Sequence, residues 1–292
     1  MGGNGGWGWE TDSGNVRRDA RRRTRFGKST KSPDARPRPI SRLDDDPPSQ
    51  MVPTMRFPTA LFAAALSVLP PLSADPPPAV TEYMGRKVAP TMSYHGGASW
   101  LLRQIREQEE GTSRLIPELK LKPGMTVCDL GSGNGYHSLM MAPQVLPGGK
   151  IVAVDIQKEM LDDLKQRAAR QKIDNVETVL GEVHDPHLPA DSCDLILLVD
   201  VYHEFDHPEP MLAAMRKALK PDGVVALVEF RGEDPDVPIR PEHKMTKAQI
   251  MKEWTANGFV LAREFNDLPW QHLMFFKRSA SGAPAAPAAS GK

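Results

Sequence analysis

Two cysteines in 292 residues leave no room for a disulfide framework. Both, Cys128 and Cys193, fall inside apolar segments read as buried strands, where a thiol packs as a small hydrophobe. Chemistry that needs several thiols, such as arsenic or thiolate–metal handling, goes with them. Net charge is missing too: 37 Lys and Arg offset 37 Asp and Glu, so the chain as a whole carries no electrostatic footprint for nucleic acid. Neither an aromatic stacking run nor an Asn-Pro-Pro-Tyr-type motif for amides or base amines is present, which disfavours DNA as a partner. No internal repeat is visible. The apolar run at 59–69 is too short for a stable membrane span.

The ends of the chain differ from its middle. Residues 1–54 hold 11 Lys and Arg against 7 Asp and Glu with almost no apolar run. They are expected to be a disordered, or even untranslated, extension, because so little burial cannot offset the ordering entropy. The tail 279–292, SASGAPAAPAASGK, is of the same kind. Residues 55–74 have a short basic start, an apolar run and a small-residue end, the three-part layout of a secretory signal. That layout predicts export if translation begins at Met55, and a cytoplasmic protein otherwise. About 200 residues remain, enough for one substantial core.

Within them, 98–110 and 113–121 have helical patterns and form an expected N-terminal helical lid over 75–121. A regular alternation follows. Strands are predicted at 126–130, 150–155, 176–180, 193–200 and 224–230, with helices at 136–146, 157–171, 208–219 and 246–256 between and after them. Two closing strands, 260–265 and 272–277, are joined by a turn short enough to force antiparallel pairing. Strands alternating with helices predict a doubly wound, mostly parallel seven-stranded α/β sheet with an antiparallel C-terminal hairpin.

The first of these strands runs into Gly131-Ser-Gly-Asn-Gly135. In open parallel sheets, ligands sit beyond the carboxyl ends of the strands near the switch point. Glycines there let a ligand approach backbone N–H groups near a helix start. The spacing is G-x-G-x-G, whereas the dinucleotide fingerprint is G-x-G-x-x-G. Asp129, two residues before the first glycine, would repel a pyrophosphate and welcome an ammonium group. Asp155 at the second strand end is placed to reach a ribose, with Glu182 after the third strand and Asp200 at the end of the fourth. Four acids around one glycine loop fit a cationic amino-acid nucleoside better than a dinucleotide.

The segments VCDLGSGNGYHS, IVAVDIQKEML, VLGEVHDPHLPADSCDLILLVDVYHEF and ALKPDGVVALVEF resemble, in order and spacing, the successive motifs of class I S-adenosylmethionine-dependent methyltransferases. The resemblance covers about 84–277 and makes 122–278 the S-adenosylmethionine-binding domain of a Rossmann-like methyltransferase fold. It implies that Asp129, Gly131 and Gly133 hold the methionine part and that Asp155 binds the ribose. Glu182 and Val183 would line the adenine, although the family more often has Asp at the first of these places. Asp200, Val201 and Tyr202 would border the methyl group. Gly135 and Ile156 complete the cofactor-binding set.

Methyl transfer needs a base only when the acceptor is protonated. His203, in the Tyr202-His-Glu-Phe205 stretch, titrates nearest neutral pH and is the candidate base. Glu229, Arg231, His243 and Trp270 are candidates for shaping an acceptor pocket, with Tyr94, Trp100 and Arg103 on the lid. The acceptor itself is expected to be a small molecule, aromatic or quinone-like. Three other readings stay open. One is a cofactor-binding protein without transferase activity, and one a dehydrogenase. The third is a zinc site on His203-Glu-Phe-Asp-His207, which matches H-E-x-x-H, with His184 and His187 on a neighbouring loop. That motif needs both histidines on one helical face, and Pro208 and Pro210 argue against a continuous helix.

Overall fold

The computed structural model describes residues 77–280, all within one unit, Pro70–Lys292. The extension 1–54, the signal-like segment 55–74 and all but two residues of the tail lie outside the described residues. No described helix is long and apolar enough to cross a membrane.

A two-residue hairpin comes first, β1 (Glu82–Tyr83) and β2 (Arg86–Lys87), too short to show any alternation in the sequence. It is fastened from far along the chain: Arg86 Nε donates to Glu253 Oε1 at 2.8 Å, and Nη1 donates to the His203 carbonyl at 2.9 Å. The single helix expected at 98–110 is broken. In its neighbourhood stand α1 (Tyr94–Gly97), a 3-10 turn at Trp100–Leu102, and α2 (Arg106–Glu110). The break falls at Arg103, whose backbone is extended (φ −60°, ψ 140°). Its guanidinium lies 3.5 Å from the Trp100 ring centroid and pairs with Glu109 and Glu110, each at 2.6 Å. Positions six and seven apart do not both face Arg103 on a straight helix in the way that i+3 and i+4 neighbours do, so these ion pairs accompany a bend. A further helix, α3 (Thr112–Glu118), leads into the sheet.

The sheet alternation matches expectation closely. Strand β3 (Thr126–Leu130) is followed by α4 (Tyr136–Met141), which tightens into a 3-10 turn at Ala142–Val145 where Pro143 enters. Then come β4 (Lys150–Asp155), α5 (Lys158–Gln171), β5 (Val176–Leu180) and β6 (Cys193–Val199). After a 3-10 turn at Tyr202–Glu204 the chain forms α6 (Pro208–Ala218) and β7 (Leu219–Phe230). A last 3-10 turn, Pro241–His243, precedes α7 (Lys247–Ala256), β8 (Phe259–Phe265) and β9 (Gln271–Arg278). The seven long strands lie in the order β5-β4-β3-β6-β7-β9-β8. All neighbours are parallel except β9, which runs antiparallel to both β7 and β8. Strand β7 begins earlier than the expected 224, because Leu219 pairs with Cys193 before a register shift carries the chain past Pro221-Asp-Gly223.

Helix α5 shows how local pattern becomes packing. Met160, Leu161, Leu164 and Ala168 form one buried stripe, and each large one stabilises by about 1.5–3 kcal/mol when fully covered. The helix stops where Lys172 turns left-handed, φ 57°. Leu164→Ala would break the stripe, at about 2–5 kcal/mol. Apolar clusters cover both faces of the sheet. One centres on Trp254, Tyr202 and Phe276, the other on Leu115, Met141 and Phe275. Both cysteines are wholly buried in strands, as expected. Because the chain goes outward from β3 to β5 and then returns to β6, a crevice opens at the carboxyl ends of β3, β4 and β6.

Candidate active site

The crevice is a cleft with about 940 Å³ of empty space counted out to solvent. At its floor the chain leaves β3 through Gly131 and Gly133, both left-handed (φ 72° and 52°). A Cβ on Gly131 would stand 2.5 Å from the Val201 side chain, and one on Gly133 would stand 2.5 Å from Leu101. Both glycines line the cleft. Gly135 does not: a Cβ there would meet Leu164 of α5 at 2.3 Å. This glycine, expected in the cofactor set, lets α4 and α5 pack closely behind the loop. The space over Gly133 is also not free for a ligand alone, because Leu101 of the N-terminal cover rests on it.

The four acids divide. Asp155 ends β4 with Oδ2 accepting the Gly133 N–H and Oδ1 the Gln157 N–H, both at 2.8 Å. Burial raises its pKa, held back by those same N–H groups. A carboxylate oxygen can accept a second hydrogen bond, and Asp155 lines the cleft. Glu182 also lines it but is solvated, near His184 (3.3 Å) and His187 (3.7 Å). Asp200 sits just after β6 in a left-handed conformation, φ 54°, which Asp tolerates better than most residues. Its Oδ2 accepts from Gln271 Nε2 at 2.6 Å, while Oδ1 is buried without a partner. Burial, with Glu110 and Glu229 nearby, pushes its pKa well up. Asp129 is buried inside β3, accepts from Ser138 Oγ at 2.5 Å and stands behind the loop, outside the cleft wall. Burial lifts its pKa to about 6, against the pull of Ser138 and Arg106.

Ile156 and Val183 both line the cleft and are 40% and 39% exposed. The N-terminal cover also lines the cleft, contributing Met92, Trp100, Leu101 and Arg106. Gln157 stitches that cover to the start of α5: its Oε1 accepts the Tyr94 N–H at 2.6 Å and its Nε2 donates to the Met92 carbonyl at 3.0 Å. Arg106 had no signal in the sequence. It is 4% exposed, donates to Glu110 Oε2 at 2.6 Å and to the Leu101 carbonyl at 2.8 Å, and lies 4.2 Å from the Tyr136 ring centroid. It is the cation inside this acidic cleft.

Tyr202, expected at the methyl group, and His203, the candidate base, are both turned away from the cleft. The Tyr202 side chain is wholly buried, donates from its hydroxyl to Glu253 Oε2 at 2.6 Å and packs on Trp254. Only one side of the 3-10 turn faces the cleft, and Tyr202 is on the other. His203, the candidate base, is 2% exposed and also off the cleft wall. Its Nδ1 lies 2.6 Å from Glu229 Oε2 and its Nε2 lies 3.1 Å from His243 Nδ1. Burial works against its charge, but the Glu229 carboxylate prevails and raises its pKa. Burial and the neighbouring His203 charge lower that of His243. The group of this turn that does face the cleft is Glu204, its pKa pushed up to about 7 by burial against the pull of His203.

The H-E-x-x-H reading fails on geometry. His203 is in the 3-10 turn, and α6 starts only at Pro208, which disfavours a helical residue before it. His207 instead pairs with Asp206 at 2.7 Å, its ring 6.0 Å from that of His184. Of the other rim candidates, Glu229 is a buried partner of His203. Arg231 donates to the Pro269 carbonyl at 2.6 Å, holding the β8–β9 turn.

A parallel sheet of this strand order, closed by an antiparallel strand and carrying the glycine loop at its switch point, defines a class I S-adenosylmethionine-dependent methyltransferase. A solved structure of such a methyltransferase from Aquifex aeolicus has the same fold: TM-score 0.60 at 22% identity, over 64% of this chain and 98% of that one. The family model for the methyltransferase domain matches residues 121–274, and the chain belongs to that family, whose cofactor is S-adenosylmethionine. Among curated relatives, an arsenite methyltransferase from Halobacterium salinarum is 32% identical over 109 residues, 37% of this chain and 27% of that protein. An uncharacterised methyltransferase from Bacillus subtilis, YcgJ, is 27% identical over 62% of this chain and 75% of its own length. The chain spans 27% to 41% of the length of the first curated relatives it matches.

Proposed function

We propose that this protein transfers the methyl group of S-adenosylmethionine to a small-molecule acceptor enclosed between the strand ends and the N-terminal cover. The observation that carries the reading is Asp200 Oδ1. Among the described residues it is the one buried carboxylate oxygen without a partner, on the wall of a cleft that Asp155 also lines. A buried acceptor left unpaired is costly, and a cationic donor is what this one lacks.

The residues fit the cofactor. Asp155 would accept from the ribose hydroxyls, and the exposed side chains of Ile156 and Val183 would flank the adenine, with Glu182 at its edge. Backbone of Gly131 and Gly133 would meet the methionine part, its ammonium toward Asp200 and its carboxylate toward Arg106. Asp129 contributes charge from behind the loop. When bound, S-adenosylmethionine supplies an electrophilic methyl on a sulfonium. The protein's task is then alignment and exclusion of water, which Met92, Trp100 and Leu101 serve as a cover. His203 does not reach the cleft, so it enters this reading only through Glu204 beside it. Arsenite chemistry is not carried over from the Halobacterium relative, because both thiols are buried in strands.

Calorimetry of the full chain with S-adenosylmethionine and with NAD, followed by S-adenosylhomocysteine release across a metabolite panel, tests the proposal. Binding of S-adenosylmethionine with turnover on a small molecule is expected. Binding of NAD alone would defeat it, and cofactor binding with no turnover on any acceptor would favour the non-transferring alternative.

A further inference from the structure

Beside the cleft, two short turns meet. Tyr202–Glu204 follows β6 and Pro241–His243 follows β7, so only the fold brings their residues together. His203 Nε2 lies 3.1 Å from His243 Nδ1 and 4.0 Å from Glu204 Oε1, and a donor atom from each of the three lies within 4.8 Å of the other two. We propose that His203, Glu204 and His243 form a binding site for one divalent transition-metal ion of the zinc class, at the wall of the cleft. The proposal stands independently of the methyl-transfer reading.

The spacing suits an ion. With metal–nitrogen bonds of about 2.0–2.1 Å, two imidazole nitrogens on one ion stand about 3.0–3.4 Å apart. The two nitrogens already have that separation, and Glu204 Oε1, which accepts the Met92 N–H at 3.2 Å, stands 4.0 Å from His203 Nε2. A second observation concerns the other side of His203. Glu229, with no exposed surface, takes the His203 Nδ1–H at 2.6 Å and the Tyr202 N–H at 2.8 Å. A locked carboxylate behind an imidazole fixes its tautomer and orientation and leaves Nε2 as the ligand atom, the usual outer support of a metal-bound histidine. A structural histidine needs one hydrogen-bond partner. Here a buried carboxylate, a second histidine and a cleft-facing glutamate converge on one ring.

The donor set narrows the ion. Two imidazoles and one carboxylate without thiolate suit Zn²⁺, Fe²⁺ or Co²⁺, whereas Mg²⁺ and Ca²⁺ favour oxygen alone. Three protein ligands also leave coordination positions open, and Glu204 lines the cleft. No other trio of His, Cys, Asp or Glu with this spacing occurs among the described residues.

The test uses the full chain without an affinity tag, stripped with EDTA and titrated with ZnCl₂, then with MgCl₂, by calorimetry, with metal content counted after dialysis. One equivalent of zinc and no saturable magnesium binding are expected. His243→Gln, on a partly exposed turn, should lower zinc affinity by at least about 10-fold, and Glu229→Gln by about 10–100-fold as loss of an outer-shell partner. Circular dichroism and melting in EDTA check that each variant is folded. Should His243→Gln not fold, Glu204→Gln replaces it with the same expected loss. Absence of saturable zinc binding overturns the proposal. Zinc held with unchanged affinity in the variants overturns it too, since the ion would then sit elsewhere, for instance near His184 and His207.

Discussion

The acids on the two sides of β3 are used in opposite ways. Toward β4 and β5, Asp155 and Glu182 face the cleft: the first is held by backbone N–H groups alone and the second is largely solvated. Toward β6 and β7, Glu229 and Glu253 have no exposed surface and are enclosed by side chains as well: His203, beside the Tyr202 and His203 backbone N–H groups, in one case and Arg86 and Tyr202 in the other. A carboxylate held by backbone alone at a cleft wall leaves its charge available to a ligand, while one enclosed by buried donors is part of the framework. Asp200, half-satisfied by Gln271, stands between the two conditions.

The largest effect should come from attacking the framework side. Glu229→Ala leaves the buried His203 Nδ1 and Tyr202 N–H without their acceptor and should cost about 2–6 kcal/mol of stability, about 1–3 for each buried donor. Urea unfolding in EDTA measures it, and a loss below about 1 kcal/mol would show that the pair contributes little. Next comes Asp129, whose pKa is raised to about 6 by burial. The folded protein therefore binds a proton that the unfolded chain, near 3.8, has already released. The cost of its charge is absent below about pH 4, grows as pH rises, and is complete above about pH 6. Asp129→Asn should gain stability relative to the native chain across that window, by up to about 3 kcal/mol. Parallel unfolding curves at pH 4 and pH 7 would refute this.

On the cleft side, Asp155→Ala should weaken S-adenosylmethionine binding by about 1.5–3 kcal/mol, roughly 10–100-fold in dissociation constant. Calorimetry tests it, and an unchanged constant would remove Asp155 from the site. The smallest effect is expected at Thr246, whose side chain accepts the Gln249 N–H at 3.1 Å and caps α7. Thr246→Ala should cost about 1 kcal/mol in melting experiments and leave cofactor binding alone, because α7 supports Glu253 and Trp254 behind the cleft. A change in affinity there would mean that the two sides are coupled.

What could be read from the sequence follows the same division. The sheet and its cleft-side acids were legible because strand, glycine loop and terminal acid are consecutive in the chain. Asp155 and Gly131 are recognisable from spacing alone. Facing was harder to read. The resemblance implies Tyr202 at the methyl group, and Gly135 belongs to the expected cofactor set, yet a 3-10 turn buries Tyr202 and Gly135 packs against Leu164. Long-range partners left no trace: the His243 approach to His203 depends on two turns forty residues apart, and Arg106 lines the cleft from a segment that reads as one helix but is broken at Arg103. H-E-x-x-H was visible as a string, but Pro208 separates its halves.

The hairpin that carries Arg86 has a consequence for how the chain is made. Arg86 precedes its partners His203 and Glu253 by 117 and 167 positions. On the ribosome it emerges first and must wait for both. At about 5–20 residues per second, the interval before Glu253 is synthesised is roughly 10–30 s. Contacts of such high sequence separation also close the largest loops and carry the largest entropic cost before any reward. The hairpin is thus synthesised well before its partners and is among the last parts of the described fold to dock, whereas the cover beside it, tied to Gln157, meets its own partner long before Glu253 is made.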